Sequence, residues 1–265
     1  MKKKMIVVVS LAVLLTTARP GWVTPASDQD AAFIQALKEA RAELQAGINR
    51  WEAGALQKAR DLFLGLLIKQ EKPSPDLHYY VALADYRLAS FYFSSGTPAE
   101  ADRFVTEGKQ YLEKAMEAQP EFGEAFSLYG FLLGLEVALH PDRAMTLGFK
   151  SMASLDQGIE KDPSNPRTHL IKGMYLPYVP KEYGGGVDVA IPYLEKAVSL
   201  FAGDKTADPV KPSWGHDEAY LHLGMAYKAQ GETEKAKECL KKALALNPGL
   251  GWAKSLLASL EKGRY

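Results

Sequence analysis

Five histidines, one cysteine and a run of three glycines are the features with which this sequence could do chemistry. His78, His140, His169, His216 and His222 form no i, i+3 or i, i+4 pair, the spacings that put two metal ligands on one helical face. His216 with Asp217, Glu218 and His222 comes nearest to a cluster, but its imidazoles are spaced wrongly for a shared face, so a solvated helix start is expected and no metal. The lone cysteine, Cys239, excludes an internal disulfide and any multi-cysteine zinc or iron–sulfur site. Beside Leu240 it reads as a small buried residue rather than a reactive thiol. Gly184-Gly185-Gly186 could cradle an anion at a helix start. No Gly-Lys-Ser/Thr follows, however, and Asp188 would repel a phosphate, so a turn with positive φ is the expected role. Neither G-x-S-x-G nor H-E-x-x-H occurs. No catalytic residue and no cofactor is expected, and the chain reads as a binder rather than an enzyme.

The aromatic residues are more informative. Tyr175, Tyr178, Tyr183, Trp214, Tyr220 and Tyr227 crowd around two loops of the C-terminal half. Tyr220 and Tyr227 fall in packing slots, whereas Tyr178, Tyr183 and Trp214 lie on loops, where a large ring either anchors the loop or recognises a partner. The 265 residues are 47% hydrophobic and 24% charged, values of a folded globular protein. Lys+Arg and Asp+Glu both number 32, so no basic excess points to nucleic acid.

The chain opens Met1-Lys2-Lys3-Lys4, followed by an apolar run from Met5 to Leu15 broken by Ser10. A basic start and a short apolar run describe a secretory signal, since a membrane-spanning helix needs roughly 20 apolar residues. The expected signal covers residues 1–26, with Thr16-Thr17-Ala18 and Thr24-Pro25-Ala26 as alternative cleavage sites. No cysteine lies nearby, so the protein is not expected to be a lipoprotein. Residues 27–265 then form one mildly acidic domain, exported to the periplasm or envelope.

An internal repeat organises that domain. From Asp217 to Leu250, Tyr220, Leu223, Gly224 and Tyr227 share one helical period up to a break at Gln230-Gly231. Ala236, Leu240 and Ala243 share a second period, closed by Asn247-Pro248. The small–large–small signature at i, i+4, i+7 recurs in Gly108/Leu112/Ala115, Ser151/Leu155/Gly158 and Ala190/Leu194/Ala197, and in degenerate form in Ala59/Phe63/Leu66. Small residues permit close helix crossings, and large ones fill the gaps beside them. Gly47, Ala84, Gly130 and Gly173 take the small slot of the other first helices. Helix pairs are expected over 28–72, 75–119, 121–162, 165–202 and 214–247, followed by a capping helix over 251–262. Asp188 is expected to cap the helix carrying Pro192, so that the proline costs no helix bond.

The hairpin over 217–250 resembles the tetratricopeptide repeat (TPR): an aromatic, a Leu-Gly pair and a Tyr, then Ala, a large apolar residue, Ala and Pro. The resemblance implies an all-α, right-handed superhelix of about five antiparallel helix pairs plus a cap, with the first helices lining a concave face. Read by phase from the small slots, that face carries Leu44, Ile48 and Trp51, then His78, Val81 and Asp85. It continues through Ser127, Phe131 and Leu135, then Arg167, Leu170 and Met174, and ends with Glu218, Leu221, Met225 and Lys228. The expected surface is a largely apolar groove that captures a segment of another envelope protein. The alternative is that the same residues are the core of a closed superhelix. TPR domains that hold a C-terminal carboxylate present a clamp of cationic and amide side chains, to which only Arg167 and Lys228 could contribute. A weaker resemblance, resting on the irregular repeats and Tyr183-Gly184-Gly185-Gly186, is to the periplasmic TPR-type subunit of TRAP transporters. It implies a solute-binding protein, or an apolar small molecule, as the ligand.

Overall fold

A computed structural model of the chain describes residues 28–204 and 208–263; the expected signal over 1–26 lies outside them. Among the described residues there are eleven α-helices and no strand. They pair as α1 (Asp28–Arg50) with α2 (Ala53–Leu67), α3 (Pro75–Ser94) with α4 (Pro98–Ala118), and α5 (Gly123–Leu139) with α6 (Ala144–Lys161). Then come α7 (Pro166–Tyr175) with α8 (Val187–Phe201), α9 (His216–Ala229) with α10 (Thr233–Leu246), and α11 (Gly251–Glu261) against α10. This is the all-α superhelix of five pairs and a cap that the repeat implied.

Local chemistry sets the helix starts. Ser74 Oγ accepts from Leu77 N at 3.3 Å ahead of Pro75, and Asn165 Oδ1 accepts from Arg167 N at 2.9 Å ahead of Pro166. Each cap satisfies an orphan donor, and the proline at the first helical position has no donor to lose. Inside the pairs, the small residues mark the crossings. A methyl on Gly130 would lie 2.8 Å from the Ser151 carbonyl oxygen, and Ser151 Oγ donates to the Gly130 carbonyl at 2.7 Å. One apolar core runs from Leu37 to Cys239, and a second, formed by Leu221, Leu240, Leu250 and Leu260, joins the last hairpin to α11.

Two expectations about α8 and α3 are corrected. Helix α8 is capped by Gly186 and begins at Val187, so Pro192 lies deeper than the first turn and leaves the Asp188 carbonyl without its helix donor. The proline is exposed, where water supplies that bond. In α3, Ala84 is not the residue at the crossing with α4. Gly108 of α4 faces Ala82 and Asp85, one residue out of phase, which is a turn of about 100° around the helix.

The superhelix also closes. Helix α11 touches α1. Asn247 Nδ2 donates to Asn49 Oδ1 at 2.8 Å, and also to Asp217 at 2.6 Å. A methyl on Gly251 would lie 2.8 Å from the Asn49 carbonyl oxygen, so the cap begins hard against the end of the first helix.

Candidate functional site

Closure brings the first helices around a central axis, and the loop between α8 and α9 crosses their inner side as a strap. Its described part is tied down by side chains far away in sequence. Arg41 Nη2 donates to the Val210 and Lys211 carbonyls at 2.9 and 3.0 Å, and Tyr80 Oη donates to the Lys211 carbonyl at 3.0 Å. Lys211 Nζ reaches Asp76 at 3.2 Å, and Trp214 Nε1 donates to Tyr79 Oη at 3.1 Å. Trp214 is thus an anchor. Tyr178 and Tyr183 are 74% and 52% exposed, with Tyr183 edge-on to the exposed Phe149.

The interior behind the strap holds ion pairs among its apolar side chains. Arg87 Nη2 donates to both Glu218 oxygens at 2.7 Å, with its guanidinium over the Tyr86 and Trp214 rings. Arg167 lies 3.7 Å from Glu124 and 3.0 Å from Asp204. Burial pushes the Glu124 carboxyl up to about 6, against the pull of Arg167. Asp85 faces α2 rather than the axis, in an ion pair with Arg60, and burial pushes its carboxyl up to about 7 despite that partner. Burial depresses the His222 imidazole to about 3, and the nearby Arg87 charge adds to the effect.

The expected groove residues divide by depth. Leu44, Val81, Arg167, Leu170, Met174 and Leu221 are buried in the closed chain. Ile48, Phe131, Leu135, Met225 and Lys228 are half-buried, and Trp51 is 42% exposed. Of the residues that phase had added, Ser127 is buried against Gly158 of α6, and Glu218 is spent on Arg87. What remains open lies toward the C-terminal ends of the first helices. Trp51 packs on Phe91 with ring centroids 5.8 Å apart, and Phe131 bridges Tyr86 and Tyr175 at 5.0 and 6.1 Å.

Sequence reasoning missed Arg41 and Arg87, and it placed Tyr80 only as a repeat packing residue. The two arginines follow no repeat signature, because each is fixed by the strap or by a helix several repeats away. It also missed the backbone of Trp51, whose φ is +53°. In the turns of the second and last pairs the same place is held by Gly96 and Gly231, at +74° and +83°. The hydrogen bonding matches as well: Trp51 N donates to Ile48 and Glu52 N to Gly47, just as Gly231 N donates to Lys228 and Glu232 N to Tyr227. A bulky ring thus occupies a left-handed helix-ending position that favours glycine. The triple glycine is likewise a turn: Gly184 and Gly186 have φ of +80° and +114°, and Gly185 lies against the Val179 carbonyl.

Residues 217–250 match the family model "Tetratricopeptide repeat". No curated protein matches the chain. Among solved structures, the HusA haemophore from Porphyromonas gingivalis aligns with a TM-score of 0.59 at 23% identity, over 78% of this chain and 96% of that one. TTC0263, a thermophilic TPR protein in Thermus thermophilus, aligns with a TM-score of 0.55 at 16% identity, over 83% of this chain and 98% of that one. These likenesses establish the fold. The chain is a TPR-type helical-repeat protein whose last hairpin is a tetratricopeptide repeat. Such a fold is that of a binding scaffold, and among the described residues no helix is long and apolar enough to cross a membrane.

Proposed function

We propose that the chain is an exported scaffold of the bacterial envelope, which captures a segment of a partner protein on the open edge of its closed superhelix. The carrying observation is Trp51: an exposed indole held on a strained turn, with its ring tilted against Phe91. The contact with Phe91 returns about as much as a left-handed backbone costs a side chain, so packing alone does not account for a tryptophan where other turns use glycine, and such strain gathers at functional sites. Ile48, Phe131, Leu135, Met225 and Lys228 extend this edge, and the buried members of the expected groove support it from behind. The export half of the reading rests on the Lys-rich, apolar start of the sequence.

Cross-linking in envelope extract with a photoreactive residue at position 135 or 225 tests it. One partner band should appear at both positions and vanish with Trp51→Ser. Bands that survive this substitution would overturn the proposal, and so would Met1 intact on cytoplasmic protein.

A second reading is favoured by a second surface. Tyr178, Tyr183, Phe149 and Met145 stand exposed around the glycine turn. In an auxiliary subunit of a TRAP-type transporter, this patch would dock the solute-binding protein. Photo-cross-links from position 183 rather than 225 would select that reading.

A further inference from the structure

A cavity of about 210 Å³ lies between α1, α3 and the strap, adjoining the exposed edge at Ile48. Arg41, Arg87 and Ser213 line it together with Leu44, Ile48 and Leu83. Both arginines have commitments elsewhere, Arg87 to Glu218 and Arg41 to the strap carbonyls, and both make them through Nη2. In both, the Nε–H is buried and has no hydrogen-bond partner among the described residues. A buried donor without an acceptor is costly, and more so on a charged group. Two such donors on arginines that line one cavity call for an acceptor inside it.

The charge balance says what kind. Among the described residues, no carboxylate lines the cavity. Glu218 neutralises Arg87, whereas the strap gives Arg41 neutral carbonyl oxygens, so one positive charge is left uncompensated. The volume equals the share of about seven water molecules at ~30 Å³ each. The three aliphatic walls disfavour a fully hydrated inorganic ion.

We propose that this cavity binds a small organic monocarboxylate, with the carboxylate answering the Nε–H groups of Arg41 and Arg87 and a short aliphatic tail against Leu44, Ile48 and Leu83. The site shares Ile48 and Leu44 with the partner-binding edge, but its ligand and its test do not depend on a partner protein.

Calorimetric titration of the full chain with hexanoate, 1-hexanol and inorganic phosphate tests the proposal. Hexanoate should bind saturably at one site, hexanol at least about tenfold more weakly, and phosphate not measurably. Arg41→Gln should weaken hexanoate by about tenfold or more. Because Arg41 also holds the strap, Ala42→Phe provides a second variant. Ala42 is exposed on the cavity rim, so a ring there blocks entry without removing any side-chain hydrogen bond, and it should abolish hexanoate binding. Three results would overturn the proposal: no saturable hexanoate binding, equal binding of hexanol or phosphate, or hexanoate binding unchanged by Ala42→Phe.

Discussion

Trp51 sets two opposing contributions against each other at one residue. The left-handed conformation costs a side chain about 1–2 kcal/mol, and the contact with Phe91 returns about 0.5–1.5 kcal/mol. Trp51→Gly loses the contact but relieves the backbone, whereas Trp51→Ala loses the contact and keeps the strain. The glycine variant should therefore be the more stable of the two by about 1 kcal/mol in urea denaturation, although it is the smaller residue. His222 gives a pH dependence. Its imidazole titrates near 3 in the folded chain and near ~6.5 when unfolded, so its contribution is complete above the unfolded value and is lost as pH falls toward 3. Asp85 and Glu124, whose carboxyls are raised, act in the opposite sense as pH falls from about 7. The histidine effect should thus appear as a difference: His222→Gln should flatten the fall in melting temperature between pH 6.5 and 3 relative to the parent chain. A parallel curve would show that the imidazole is solvated.

At the scale of the element, most of the architecture was readable because it is written locally. A small residue, a large one and a second small one at fixed offsets report a crossing between neighbours in sequence, and the structure puts Gly130, Gly173 and Gly224 at such crossings. Reading failed where a first helix has several small residues to choose from. In α3, Ala82, Ala84 and Ala89 all compete, and a one-residue error rotated Asp85 onto the wrong face. The crossings can be tested by paired substitutions. Gly130→Ala drives a methyl into the Ser151 backbone and should cost about 1–3 kcal/mol. Gly148→Ala on α6 meets nothing within 4 Å and should be neutral or stabilising by up to about 1 kcal/mol. Equal midpoints in urea would contradict the packing described for α5 and α6.

For the whole molecule, the sequence showed a stack of pairs and left its closure as an alternative, and it gave no sign of the strap that fills its middle. Both depend on contacts such as Arg41 with Val210 and Asn49 with Asn247, for which no periodicity exists. This is also why the concave face looked apolar in sequence: Arg87 on α3 meets its acid, Glu218, only on α9, three pairs further along. The capping helix has two roles as a result. It covers Leu240 and Leu250, and it abuts Asn49. Deleting residues 251–265 should lower the melting temperature and increase hydrogen exchange in α1 as well as in α10. Protection of α1 unchanged by the truncation would show that closure adds nothing to its stability.

The Asn49–Asn247 contact has a thermodynamic consequence of its own. A linear solenoid has two ends, and unfolding can begin at either by fraying, because each terminal unit has one neighbour fewer than the rest. Joining first to last gives the terminal units the neighbour they lack, so no unit is an obvious starting place for melting. Two side-chain amides, contributing little free energy as hydrogen bonds, thereby convert a stack that could lose its repeats one at a time into a ring that holds or fails as a unit.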